Sequence, residues 1–280
     1  MADRGVRDLY DLSGRVALIT GGAGLLGTRH AEAVAEMGGI PALVDLDRER
    51  CVSAARALGD RFKVDAAAFV VDITNKEGVA QCVADIIARY GRIDILVNNA
   101  ALTVKGGGRD VADYFAPFED YPLALWEKAL RVNLTGTFLV TQAVGKIMVA
   151  QRRGAIVNIA SDVALISPDH RIYRGMVSPS SGKPFNTPIS YATTKAAIIN
   201  FTRYLATYWA DHNIRVNALS PSGVYDGHDP EFVRRLSNLI PLGRMAHPDE
   251  YKGAIIFLVS DASSFMTGAN LVVDGGRTAW

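Results

Sequence analysis

Short runs of β-branched and other apolar residues alternate along the whole chain with segments whose apolar residues recur at helical spacing. Residues 16–19 and 155–157 are apolar without a break. A strand with one face in water would instead alternate apolar and polar positions. Buried strands separated by helices predict a parallel sheet that is covered by helices on both faces. We therefore expect an α/β fold with a doubly wound, seven-stranded parallel sheet.

The same pattern gives the bounds of the elements. The predicted strands cover residues 15–20, 40–45, 67–71, 93–98, 154–160, 214–220 and 270–273. Helical spacing is clearest over residues 28–37, 76–90 and 125–149. Because right-handed crossovers connect such strands, a ligand is expected at their carboxyl ends, where the winding of the sheet reverses.

Composition and charge narrow the class of protein. The chain has 280 residues, of which 49% are hydrophobic, and 30 Lys and Arg balance 29 Asp and Glu. This composition is unlike that of a disordered chain, and the lack of a basic excess argues against a nucleic-acid partner. Cys51 and Cys82 belong to no Cys/His cluster, so we expect neither a disulfide framework nor a metal site. We expect residues 1–280 to form a single domain.

The start of the chain and its apolar segments predict a location. Residues 1–11 are rich in charge and contain no apolar run, which is unlike a secretory signal. No other segment is an uninterrupted apolar stretch of the length that crosses a membrane. We therefore expect a cytoplasmic protein without a membrane span. The histidines have no pattern that indicates catalysis, and we expect His30 and His212 at helix surfaces.

A glycine-rich sequence lies between the first predicted strand and the helix that follows it. Thr20-Gly21-Gly22-Ala23-Gly24-Leu25-Leu26-Gly27 brings backbone N–H groups and a helix N-terminus to one place. This arrangement predicts a site for a pyrophosphate. A glycine-rich turn that only reverses the chain remains the alternative.

Asp45 ends the second predicted strand, at about the 20-residue spacing from the glycines at which a carboxylate meets the adenosine ribose. The alternative is that Asp45 and Asp47 cap the next helix, which is the role we expect for Asp47. Arg48 and Arg50 follow in that helix, and we expect both to point outward.

Tyr191 and Lys195 stand four residues apart in a predicted helix, and therefore on one helix face. A tyrosine that acts as a base near neutral pH needs its pKa lowered by about three units. A nearby lysine supplies part of that shift only in a partly desolvated cleft. The pair by itself is also common surface chemistry. A functional role for the pair is favoured because Asn99, Asn133 and Ser161 are expected at the same edge of the sheet.

With these motifs, the chain resembles the short-chain dehydrogenase/reductase family over residues 12–276. The resemblance implies a Rossmann-type sheet, NAD as cofactor, and Ser161, Tyr191 and Lys195 as the catalytic group. It also implies that Asn133 holds a water in a proton relay behind Lys195. The implied cofactor contacts are Gly21, Gly24, Leu25, Leu26, Asp45, Leu46, Asp72, Ile73, Asn99, Ala101, Tyr191, Lys195 and Val224.

The chain departs from the family's pattern in four places. Leu25, Ala101 and Ser222 stand where glycine is usual. A leucine still fits a turn that contacts a ligand through backbone N–H groups, because only positive φ or very close approach demands glycine. Ser222 puts the geometry beside the nicotinamide in doubt. The gap between Ser161 and Tyr191 is much longer than the family norm.

That gap contains residues 165–187, a segment rich in proline and glycine. Loops this long in a compact domain are usually functional or disordered. We expect a substrate lid in which Arg171, Arg174 or Lys183 contacts an anionic or strongly polar group. The alternatives are a subunit contact and a disordered insertion.

The function predicted from these residues is an NAD-dependent interconversion of a secondary alcohol and a ketone. The substrate is expected to be a polar small molecule, either sugar-like or anionic, held between Ser161 and Tyr191. The alternatives are a cyclic diol, a steroid or an acyl substrate, or an NAD-binding regulator without turnover. The family resemblance further implies a homotetramer, with a homodimer as the alternative.

Overall fold

The computed structural model describes residues 5–102, 114–177, 182, 184 and 186–280. Its centre is a seven-stranded sheet in the order β3-β2-β1-β4-β5-β6-β7, and all the neighbouring strands pair in parallel. The strands are β1 Val16–Thr20, β2 Ile40–Asp45, β3 Ala67–Val70, β4 Ile95–Asn98, β5 Gly154–Ile159, β6 Ile214–Pro221 and β7 Asn270–Val273. The predicted doubly wound sheet is confirmed, and the predicted strand bounds differ from these by at most two residues.

The helices fill the connections between the strands. They are α1 Val6–Leu9, α2 Leu25–Glu36, α3 Arg48–Phe62, α4 Lys76–Tyr90, α5 Leu123–Leu130, α6 Thr137–Gln151, α7 Ile189–Tyr208, α8 Pro230–Ser237 and α9 Lys252–Val259. A π-helical stretch, Arg131–Gly136, joins α5 to α6. Short 3₁₀ turns, among them Asp162–Ala164 and His170–Tyr173, lie in the loops.

Burial on both faces explains the unbroken apolar strands. Val16 and Leu18 pack into a cluster with residues of α4 and α6, whereas Ala17 and Ile19 pack into a second cluster with residues of α2 and α9. Successive side chains of a strand point to opposite faces, so a strand between two helix layers needs apolar residues at every position.

The continuous helical stretch Leu123–Gln151 is 29 residues long and has a mean hydropathy of 1.2 in its most apolar window. By length and composition alone it is able to cross a membrane. Its apolar side chains are instead used in the core, because Val140, Val144 and Met148 pack with the strands. Burial against the sheet therefore accounts for its hydropathy.

The expected position of His30 was wrong. His30 was expected at the surface of a helix, but its side chain is fully buried in α2. The helix begins at Leu25, three residues earlier than the periodicity predicts, so His30 lies in its second turn. In this position the imidazole faces the apolar interior.

Candidate active site

The glycine-rich sequence forms a tight turn at the carboxyl end of β1. Gly21 has a φ of +61°, and a Cβ placed on it would lie 2.9 Å from the Cα of Ala100. A Cβ on Gly27 would collide with the carbonyl oxygen of Gly21. Only glycine fits these two positions.

The turn leads into the N-terminus of α2, where Gly24 is the N-cap. The first N–H groups of a helix have no acceptor within the helix and are available to an anion. Leu25 is the first helical residue and does not have a positive φ, so leucine is tolerated where the family's glycine is usual. The backbone here fits a pyrophosphate.

Asp45 is built into this turn rather than into the cap of the next helix. Its Oδ2 accepts a hydrogen bond from the N–H of Ala23 at 3.0 Å. Asp47 is the N-cap of α3, as predicted, and its side chain accepts from the N–H of Arg50. The expectation for Arg50 was wrong: its guanidinium turns back and donates to the carbonyl of Ala23 at 2.8 Å.

Other predicted cofactor residues lie at the neighbouring strand ends. The Asn99 amide donates to the carbonyls of Thr20 and Gly21, at 3.0 and 3.1 Å, and so ties β4 to the glycine turn. Ala101 lies two residues after Asn99, and Leu46 follows Asp45 and is 69% exposed. Further members of the predicted set, Asp72, Ile73 and Val224, lie after β3 and β6.

Tyr191 and Lys195 lie on the first turns of α7, where their helix passes the end of β5. The Lys195 Nζ donates to the carbonyl of Ile159 at 2.6 Å and lies 5.7 Å from the centre of the Tyr191 ring. Burial lowers the pKa of Lys195 to about 8. The lysine therefore keeps its charge at neutral pH.

Tyr191 does not have the lowered pKa that the sequence argument requires of a base. Burial raises its pKa, a hydrogen bond with Ser161 opposes that rise, and the Asp162 carboxylate adds to it. The physical cause is that a buried tyrosinate loses hydration.

Asn133 lies in the π-helical stretch and is 3% exposed. Its Oδ1 accepts from the N–H of Leu102 at 2.7 Å, and its Nδ2 donates to the Thr194 hydroxyl at 3.0 Å. Thr194 in turn donates to the carbonyl of Tyr191. Asn133 therefore connects the segment after β4 to the helix that carries Tyr191 and Lys195.

A polar network beside Ser161 escaped the sequence analysis. The Ser161 hydroxyl donates to Asp162 Oδ1 at 3.0 Å, and the Ser222 hydroxyl donates to Asp162 Oδ2 at 2.7 Å. The Arg277 Nε lies 3.5 Å from the same Oδ2. The only sequence signal was Ser222, which stands where the family has glycine.

The described part of the long loop packs on α8. Ile172 is buried against Leu236, Ile240 and Met245. Arg235 on α8 donates to the carbonyls of Ile172 and Arg174, at 3.0 and 2.6 Å. These contacts hold the loop against the helix that follows β6.

The structure describes two of the three cations proposed for substrate binding. Arg171 is 73% exposed in its side chain and forms a bidentate ion pair with Asp169 of the same loop. This pairing holds the pKa of Asp169 at about 2. Arg174 is exposed. Lys183 lies outside the described residues.

Comparison with known proteins decides the family. A family model described as enoyl-(acyl carrier protein) reductase matches residues 22–278. The chain is 34% identical to an NAD-dependent glycerol dehydrogenase of Listeria innocua, over 99% of both chains. It is 36% identical to a D-threitol dehydrogenase of Mycolicibacterium smegmatis, over 96% of this chain and 95% of that one. The chain belongs to the short-chain dehydrogenase/reductase family.

A solved structure gives the same result for the fold. This short-chain dehydrogenase/reductase superposes on a gluconate 5-dehydrogenase from Burkholderia cenocepacia in complex with NADP and tartrate, with a TM-score of 0.84 and 33% identity. The match covers 99% of this chain and 100% of the other. The expected Rossmann-type fold is confirmed.

Family membership also confirms the predicted class of reaction. This short-chain dehydrogenase/reductase is an oxidoreductase that acts on CH–OH groups of a small molecule with a nicotinamide cofactor. The glycine turn, the N-terminus of α2 and Asp45 are the parts of the structure that fit such a cofactor.

Proposed function

We propose that this enzyme uses NAD to interconvert a secondary alcohol and a ketone on a small polyol or sugar acid. The observation that carries the proposal is the meeting of Ser161, Tyr191 and Lys195 beside the end of β5, next to a glycine turn that fits a pyrophosphate. The glycerol and threitol dehydrogenases among its relatives support a polar substrate.

In the proposed mechanism, Tyr191 takes the proton of the substrate hydroxyl at its Oη. Ser161 hydrogen-bonds the same substrate oxygen, and its contact with Tyr191 favours the tyrosinate. The Lys195 ammonium, 5.7 Å from the centre of the Tyr191 ring, would favour the tyrosinate and so oppose the rise in pKa that burial causes. The nicotinamide, when bound, supplies the acceptor for the hydride that leaves the alcohol carbon. Asn133 would hold a water that passes the proton onward behind Lys195.

The proposed preference for NAD rests on Asp45. Its carboxylate is fixed at the end of β2 by the N–H of Ala23, so it would face the adenosine ribose of a cofactor whose pyrophosphate lies on the turn. One relative is NAD-dependent, whereas a structural neighbour holds NADP. A kinetic comparison of the two cofactors is therefore the deciding measurement.

We also propose that residues 1–280 form one cofactor-binding and catalytic domain in which residues 165–187 act as a substrate lid. The contacts of Ile172 and Tyr173 with α8 support a lid, and the hydroxyl of Thr187, four residues before Tyr191, donates to the Tyr173 Oη at 3.0 Å. Arg171 and Arg174 remain candidates for the substrate's polar groups. The location we propose is the cytoplasm.

The test is a substrate panel with NAD, in which NADH formation is followed for glycerol, threitol, gluconate and cyclic alcohols. With the best substrate, Tyr191→Phe is expected to lower kcat by about 10²- to 10⁴-fold, because the ring still packs but the proton acceptor is lost. Calorimetric titration should show nearly unchanged NAD affinity.

Tyr204→Phe provides the matched control, because it removes only a phenolic hydroxyl, keeps the ring, and lies at the other end of the same helix. This variant is expected to keep wild-type kcat. If Tyr191→Phe keeps more than about a tenth of wild-type activity, below the loss typical of a general acid–base group, the proposed mechanism is wrong.

A further inference from the structure

Three adjacent strands carry, after their carboxyl ends, buried polar side chains that belong to one cluster. Asp162 follows β5, Ser222 follows β6 and Arg277 follows β7. Their exposed fractions are 3%, 8% and 7%. A carboxylate and a guanidinium are rarely buried to this extent unless they are paired.

The Asp162 carboxylate is engaged at both oxygens. Oδ1 accepts from the Ser161 hydroxyl at 3.0 Å and from the N–H of Val163 at 2.7 Å. Oδ2 accepts from the Ser222 hydroxyl at 2.7 Å and lies 3.5 Å from the Arg277 Nε. The hydrogen bond from Ser222 and the ion pair with Arg277 come from the ends of other strands, so they fix the carboxylate relative to Ser161.

Ser161 has a single hydroxyl proton. Donation to Asp162 competes with donation to Tyr191 or to the oxygen of a substrate, because one proton serves one good acceptor at a time. Ser222 donates a hydrogen bond to the same carboxylate, and Arg277 offsets its charge. Both contacts therefore weaken the hydrogen bond from Ser161 to Asp162. The strength of the Ser161 donor toward the reacting oxygen therefore depends on all three residues.

We propose that Asp162 is a positioning residue whose carboxylate, fixed by Ser222 and offset in charge by Arg277, orients the Ser161 hydroxyl and sets the local charge beside Tyr191. The inference deepens the proposed function, because it assumes that Ser161 and Tyr191 act on the substrate. It also accounts for Ser222: the residue that replaces the usual glycine supplies one of the two groups that hold the carboxylate.

The direction of the electrostatic effect follows from the groups that face Tyr191. These are Lys195 on its own helix, Ser161 and Asp162 at the end of β5, and Tyr114 in the segment before α5. Asp162 raises the pKa of Tyr191, because a tyrosinate beside it is a like charge. The Arg277 Nε lies 3.5 Å from Oδ2 of that carboxylate, so its guanidinium offsets the charge.

The test is the midpoint at which Tyr191 titrates in the enzyme saturated with NAD. Tyrosine labelled with ¹³C at Cζ reports the ionisation by NMR, and a parallel sample of Tyr191→Phe identifies the signal. Asp162→Asn is expected to lower the midpoint by about one pH unit, at the lower end of what a nearby charge produces. Arg277→Gln is expected to raise the midpoint. The double variant of Asp162→Asn and Arg277→Gln is expected to have a midpoint close to that of the wild type.

Ser222→Ala is the mild variant, since it removes one hydrogen bond and no charge. Its midpoint should lie between those of wild type and Arg277→Gln. Asp60→Asn is the matched charge control, because Asp60 is 77% exposed in its side chain on α3. Its midpoint should not move.

A purely structural role for the network would lower thermal stability in each variant and leave the Tyr191 midpoints equal, and that result would overturn the proposal. Midpoints in the opposite order would do so as well. The pH profile of kcat/KM for alcohol oxidation should shift in the same order as the midpoints. If the midpoints move as expected but no alcohol is oxidised, the network stands and the proposed function fails.

Discussion

We propose that the Asp45 carboxylate, which holds the glycine turn, also selects the cofactor. It accepts a hydrogen bond from the glycine turn, and it is the group that the 2′-phosphate of NADP would meet. At about 4 Å and an effective dielectric constant near 20, two like charges repel by roughly 4 kcal/mol. Arg50 reduces this repulsion, because its guanidinium lies at the carbonyl of Ala23 in the same turn.

We predict that kcat/KM favours NAD over NADP by up to about a thousandfold, the ratio that corresponds to such a repulsion. Asp45→Ala should reduce the ratio by at least tenfold, and Arg50→Met should increase it. Asp47→Ala is the control, because Asp47 caps α3 and should alter stability but not the ratio. Equal efficiency of the wild-type enzyme with both cofactors would contradict the assignment of Asp45.

His30 makes the stability of the protein depend on pH. Its imidazole is fully buried, and neither ring nitrogen has a hydrogen-bond partner among the described residues. Burial lowers the pKa of His30 to about 3. The unfolded chain binds a proton near pH 6.5 whereas the folded one does not, so stability is complete above that pH and falls as the pH decreases toward 3.

We predict that lowering the pH from 7.5 to 5.5 costs about 1.4 kcal/mol of unfolding free energy through His30. Urea unfolding at one fixed protein concentration measures this loss. His30→Leu should abolish that part of the pH dependence, and His170→Leu, at an exposed position, should retain it. The carboxylates whose pKa is lowered in the folded protein titrate below this pH range, so they do not contribute to the loss. An unchanged pH dependence in His30→Leu would show that another group is responsible.

The elements show where sequence reasoning succeeds and where it stops. Strands such as β1 and β5 could be located because burial on both faces leaves an unbroken apolar run. The π-helical stretch Arg131–Gly136 could not be located in this way. It changes the helical repeat locally but does not interrupt the apolar spacing of the helices on either side. The start of α2 was missed because its first turn contains the glycine motif, whose residues are chosen for close backbone approach.

The candidate site also contains residues that the sequence predicts and residues that it does not. Tyr191 and Lys195 are visible in the sequence because helix geometry brings residues four apart together. Asp162, Ser222 and Arg277 meet only because β5, β6 and β7 are neighbours, and their contacts span long stretches of sequence. No local pattern encodes such a meeting, although an unusual residue such as Ser222 marks one of its members.

The loop after Asp162–Ala164 depends on α8 for its position. Arg235 holds it through the carbonyls of Ile172 and Arg174. We predict that Arg235→Met raises KM for the alcohol substrate by about 3- to 10-fold, since a hydrogen bond to a charged group contributes about 1.5–3 kcal/mol and part of it is recovered by water. The dissociation constant of NAD should not change.

Arg234→Met is the control for this change. Arg234 is the preceding residue, is 62% exposed in its side chain and pairs with Glu231. Its loss should leave KM unchanged. If both variants behave alike, the loop does not act on the substrate and its role lies in assembly.

Among the exposed apolar side chains of the described residues, one group lies on α7 and another lies near β7. On α7, Tyr204 and Tyr208 are 63% and 65% exposed, and their rings stack at 5.9 Å. Near β7, at the edge of the sheet, Phe265 and Trp280 are fully and 77% exposed. Large exposed apolar groups and an uncovered edge strand mark interfaces. Two such surfaces on one chain favour a homotetramer with two kinds of two-fold contact.

We propose this assembly and predict that light scattering after gel filtration gives the mass of four chains. The double variant Tyr204→Glu and Tyr208→Glu should give the mass of two, because it places charges in only one of the two interfaces while the contact near β7 persists. Val52→Glu, at a half-exposed position on α3 outside both surfaces, should leave the mass of the wild type unchanged. A wild-type mass of two chains that the tyrosine variant does not alter would instead assign a homodimer to the surface near β7, and a monomeric wild type would exclude both assemblies.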